Sequence, residues 1–103
     1  MIYQQGDVLM ECVDSIPMKA KTVKRENGRI VLARGESTGH AHVIDASDVV
    51  AMELDGALYL SVTGDVIVKH EEHKPVTLPV GDYVVRKVLE YDHFTEEARE
   101  VVD

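Results

Sequence analysis

Four of the five histidines in the 103-residue chain stand in two short segments, His40 and His42 in RGESTGHAHVI (34–44) and His70 and His73 in KHEEHK (69–74). Imidazole is a common ligand for Zn, Fe, Mn and Ni, and a carboxylate beside it makes an open site where water or substrate can bind. Glu71 and Glu72, inside the second segment, offer that carboxylate as ligand or base. The expected metal set is therefore His40, His42, His70 and His73 with Glu72 or Glu71, and Glu72 doubles as a candidate catalytic base. The competing reading is two solvated polar segments that never meet.

Spacing sets the geometric conditions. Residues two apart on a strand share a face, so His40 and His42 point the same way if 40–45 is a strand. Ile44 continues that face, and Ala41 and Val43 make the other. If Ile44 points inward, both imidazoles need a polar partner such as a metal or a carboxylate. If Ala41 and Val43 point inward, the histidines are solvated. In the second segment a tight turn with Glu71-Glu72 at its tip would oppose His70 to His73, with Cβ atoms roughly 5 Å apart. Glu-Glu is a poor type I′ pair, and a four-residue loop would instead oppose Lys69 to Lys74.

The elements that must position these residues read as mainly β. Val8, Met10 and Cys12 alternate after a turn at Gly6-Asp7, and Leu9 and Val13 suggest a strand deep in a sheet. Cys12 is expected there as a small buried hydrophobe. Asn27-Gly28 and Asp55-Gly56 each separate two β-compatible runs and predict two-residue hairpin turns, because such turns need positive φ. Leu58, Leu60 and Val62 alternate with Tyr59, Ser61 and Thr63, the pattern of a half-buried strand. Further strands are expected at 30–34, around Pro75, and after the Pro79-Val80-Gly81 turn. Thr95 can cap a short helix carrying Phe94, Ala98, Val101 and Val102 near one face, with His93 as a surface or capping residue before it. The expectation is one domain over 1–103, mainly β, a small antiparallel barrel or sandwich with a helical segment at 94–103.

Gly35, His40 and His42, and later Pro79 and Gly81, resemble parts of the two motifs of the cupin family, a small double-stranded β-helix barrel that commonly holds a metal with histidines and a glutamate. The resemblance covers about half the chain. It implies a barrel and dioxygenase, isomerase or sugar-binding chemistry. Two departures stand beside it: Glu53 comes several residues late for the family's glutamate, and Val84 occupies the position of its last histidine.

Charge and composition exclude other classes. Residues 1–34 hold six Lys/Arg against four Asp/Glu, and residues 35–103 hold five against fifteen, within a net charge of −8. That distribution argues against a nucleic-acid-binding surface, which needs clustered positive charge. The basic stretch 19–29 reads as a solvated hairpin and its lead-in. Ser37 and Thr38 lie near His40 without a nucleophile elbow, and the glycines of ARGESTGH lack the lysine of a phosphate loop, so no nucleotide cofactor is indicated. One cysteine, no signal-peptide pattern and no apolar run of about 20 residues make a cytoplasmic location, away from membranes, the expectation. A small molecule or a protein is the expected partner, and homo-oligomerisation stays open. Two non-enzymatic readings stand behind the metal site: an acidic adaptor that pairs through a strand edge or its polar loop, and, third, a mimic of nucleic-acid phosphate.

Overall fold

A computed structural model of the protein describes residues 1–35 and 39–87, together with the backbone of Leu89–Asp92 and Glu97–Glu100. The described chain is antiparallel β throughout. Strands β1 (Ile2–Gln5), β2 (Val8–Val13), β3 (Lys21–Thr22), β4 (Ile30–Arg34), β5 (Ala41–Ile44), β6 (Val49–Leu54), β7 (Ala57–Val62), β8 (Val66–Val68), β9 (Val76–Leu78) and β10 (Gly81–Lys87) are followed by β11 (Leu89–Asp92) and β12 (Glu97–Glu100). Six of them form one sheet in the order β1-β2-β10-β7-β6-β3. The remaining ladders are the pairs β4–β5, β8–β9 and β11–β12. No described helix is long and apolar enough to cross a membrane.

Of the expected barrel or sandwich, this topology excludes the closed barrel. The six-stranded sheet runs from edge strand β1 to edge strand β3 and does not close on itself. A two-residue β3 cannot reach round to β1, and closure needs matched strand lengths and a continuous stagger. One core nonetheless spans the elements: Val8 and Met10 from β2, Leu60 and Val62 from β7 and Tyr83 from β10 meet Ile30, Leu32 and Ile44 from β4–β5 and Val66, Val68 and Leu78 from β8–β9.

Both predicted hairpin turns form for the predicted reason. Asn27 and Gly28 take φ of 52° and 78°, and Asp55 and Gly56 take 51° and 81°. Glu26 and Arg29 exchange both backbone hydrogen bonds, at 2.8 and 3.0 Å, across the first turn. Positive φ at both central positions lets a two-residue loop follow the right-handed twist of its strands. The basic stretch is indeed this turn and its lead-in: Lys21 and Thr22 form the sheet edge, and Arg25 donates to the Val49 carbonyl at 2.8 Å.

Two expectations fail near the ends. Cys12 is exposed: it still pairs with Tyr83 of β10, but the burial of β2 stops at Met10. Glu97–Glu100 is a strand paired with Leu89–Asp92, not part of a terminal helix. A lone helix of that length is marginal because nucleation is unfavourable, whereas the antiparallel partner supplies hydrogen bonds at once. His93, Phe94, Thr95, Val101 and Val102, like Ser37 and Thr38, lie outside the described residues.

Candidate functional site

The two histidine segments meet. Val43 of β5 and Lys69, just after β8, exchange backbone hydrogen bonds of 2.9 and 2.8 Å. This bridge joins hairpin β4–β5 to hairpin β8–β9 and places the His70–His73 loop beside the start of β5. Ile44 is fully buried and His42 is 2% exposed, so the His40/His42/Ile44 face is the inward one. Val43, on the other face, is buried as well. A bulge in β4 between Val31 and Ala33, where the register against β5 shifts, lies directly opposite His42. Such bulges re-aim side chains beside sites.

The imidazoles pack as a cluster. The His70 ring centroid lies 4.3 Å from that of His42, 4.6 Å from that of His73 and 5.7 Å from that of His40, and the His42 and His73 rings stack at 5.8 Å. His40, His70 and Glu71 form the metal-competent group: one ligand atom from each lies within 4.8 Å of the others. A tetrahedral ion with bonds of about 2.1 Å needs its ligands about 3.4 Å apart, so modest side-chain motion closes the group. Glu71 is exposed and His40 and His70 are part-exposed, which leaves room for that motion.

His40 and Glu71 are each oriented by a neighbour. Glu72 Oε1 sits 3.2 Å from His40 Nδ1, so a proton on Nδ1 leaves Nε2 to bind an ion, the carboxylate–histidine–metal arrangement. Glu71 Oε1 accepts the Ala41 N–H at 3.0 Å, leaving Oε2 as its ligand atom. That backbone hydrogen bond, with Glu71's own N–H and then His40 and His70, holds the Glu71 carboxyl below its ordinary range. The structure thus puts Glu71 in the three-residue group and Glu72 behind His40. His70 Nδ1 accepts from the Glu72 and His73 N–H groups at 3.0 and 3.3 Å. Those bonds fold the loop more widely than either turn expected from sequence, and neither Lys69–Lys74 nor His70–His73 is a ladder pair.

His42 belongs to a buried polar chain that the sequence reading missed. Gln5 is 2% exposed, and its Nε2 donates to the carbonyls of Val68 at 3.0 Å and Lys74 at 2.8 Å. Two carbonyls can be satisfied only by the NH₂ side of the amide, so Oε1 must face His42 Nδ1, 2.8 Å away. Nδ1 is therefore the donor, and a neutral His42 carries its lone pair on Nε2. Nε2 lies 3.6 Å from Asp7 Oδ1, beyond direct hydrogen-bond length. The only hint in the sequence was a polar pair, Gln4-Gln5, placed ahead of a turn.

Gly6 closes the site from below. A Cβ there would lie 2.5 Å from His73 Nε2, and its φ is +58°. Gly6→Ala is expected to lower stability by about 1–3 kcal/mol, through positive φ and displacement of the His73 ring. Urea unfolding monitored by circular dichroism reads this; an unchanged midpoint would mean that the ring is not held against the turn.

A family model described as a domain of unknown function, DUF8820, matches residues 4–88. The chain belongs to the DUF8820 family. The match takes in every residue of the histidine cluster along with Gln5, Gly6 and Asp7, and ends before β11. No curated protein and no solved structure matches the chain. Two residues weighed for the cupin resemblance have other surroundings in this DUF8820 chain: Glu53 is exposed on β6 opposite Lys21, and Val84 is buried.

Proposed function

We propose that the protein is a small β domain that binds one divalent transition metal ion, of the Zn, Fe, Mn or Ni group, through His40, His70 and Glu71. The observation that carries this reading is the convergence of those three ligand atoms within 4.8 Å from two segments thirty residues apart in sequence. Glu72 orients His40, and the buried His42 and the His73 ring form the inner wall against which His70 packs. Three protein ligands leave a coordination position for water or a substrate group, the pattern of catalytic more than of structural sites. An ion there would also polarise a bound carbonyl or lower the pKa of a bound water.

Protein purified without a tag is expected to carry near-stoichiometric metal by elemental analysis, and chelator-stripped protein to take up one zinc ion by calorimetry. Metal-free protein that gives only dilution heats with zinc and nickel would sink the proposal. The pH dependence has a definite sign. Ligating imidazoles must be neutral, so protons compete with the ion and zinc affinity falls as the medium is acidified from neutral pH. Glu71, with its lowered pKa, stays ionised there; the contribution of its Ala41 contact is present above the ordinary carboxylate range and lost only as pH falls through the lowered value. Glu71→Gln should therefore weaken zinc at neutral pH and leave the acid-side slope in place, which calorimetry at a series of pH values would show.

A further inference from the structure

We propose that the cavity beside the cluster takes a small organic carboxylate, bound with one end on the ion and the other on Arg29. This rests on the metal reading above and adds the class of ligand. The cavity has a volume of about 270 Å³ and is lined by Arg29, Ala41, Val43, Asp45, Lys69, His70 and Glu71. It therefore opens onto two of the three metal ligands. Its volume is below the roughly 300–1,000 Å³ of pockets for drug-sized ligands, so the occupant is small.

Charge selects the occupant. Arg29 and Lys69 balance Asp45 and Glu71 on the wall, so a divalent ion leaves the cavity with two uncompensated positive charges. Lys69 Nζ is held by Asp45 Oδ2 at 3.3 Å. Among the described residues, the Arg29 guanidinium has no hydrogen bond or ion pair, while its backbone is fixed by the Asn27-Gly28 turn. A planar fork of donors on a rigid turn matches a carboxylate bidentately. Ala41 and Val43 are the apolar residues of the lining, suited to a short aliphatic spacer. A chain with a net charge of −8 that keeps an uncommitted arginine on the wall of its metal cavity is equipped to take an anion.

The test uses the full chain, zinc-loaded and zinc-free, titrated with malonate and with neutral malonamide, and followed through the amide resonances of Ala41 and Val43. Malonate is expected to bind the zinc-loaded protein at those residues and malonamide not to. Arg29→Gln should weaken malonate about tenfold, the effect of losing a charge-assisted pair, while zinc affinity stays within about twofold. Malonate should in turn tighten zinc by the factor by which zinc tightens malonate. Normal zinc uptake without malonate shifts, or equal malonate affinity in wild type and Arg29→Gln, overturns the carboxylate site and leaves the metal reading standing. Failure to take up zinc overturns both.

Discussion

His70→Ala is expected to lower zinc affinity by at least about a hundredfold, since replacing even an outer-shell partner of a metal ligand costs 10–100-fold. The alanine variant also removes the acceptor for the Glu72 and His73 N–H groups, so a second variant separates ligand from scaffold. Asparagine presents Oδ1 near the position of Nδ1 and readily caps backbone N–H groups two residues on. His70→Asn should keep the loop fold, with Glu72 and His73 amide resonances close to those of metal-free wild type, and still lose zinc. Wild type should behave differently on loading. Zinc at Nδ1 competes with the two amides, and zinc at Nε2 moves the ring proton to Nδ1; in both cases the amide hydrogen bonds break. Large zinc-induced shifts at the Glu72 and His73 amides are the signature. Full zinc affinity in His70→Asn would exclude His70 as a ligand.

The second large effect falls on stability. Gln5→Leu strips the Val68 and Lys74 carbonyls of their donor and His42 Nδ1–H of its acceptor, all in or beside the core. Unsatisfied buried groups cost about 1–3 kcal/mol each, and partial access of water at Lys74 softens one of them, so a loss of about 3–5 kcal/mol is expected. At about 4–8 °C per kcal/mol for a domain of this size, the melting temperature should fall by more than about 10 °C. Gln5→Glu should be at least as harmful, because a carboxylate would face two carbonyls with no hydrogen to offer. A Gln5→Leu protein that melts within about 2 °C of wild type would show that the amide does not hold the two segments together.

The sequence made most of the strands and the two positive-φ turns legible because each is encoded locally, by period-two alternation and by the Asn-Gly and Asp-Gly pairs; the parity of His40, His42 and Ile44 put them on one face of β5 but left open whether that face is the inward one. It did not reveal how the hairpins meet. The Val43–Lys69 bridge and the Gln5 amide depend on contacts between residues 26 and more than 60 positions apart. Barrel and sandwich could not be told apart because strand count says nothing about the two-residue length of β3. The choice between Glu71 and Glu72 turned on loop geometry set by His70 Nδ1, which no spacing rule contains. Gln5 was overlooked because a buried glutamine inside a short edge strand has no periodic signature.

The Val43–Lys69 bridge also bears on the order in which the molecule forms. Each hairpin closes locally, but the bridge joins them only after the 25 residues between Val43 and Lys69, which carry all of β6 and β7, have found their place. Loop-closure entropy puts such long-range pairing among the slower steps of folding. In refolding experiments, competence to capture zinc should therefore lag behind the appearance of strand signal. A chain cut between the two hairpins would hold His40 on one piece and His70 with Glu71 on the other, and regain the ion only when the pieces reassociate.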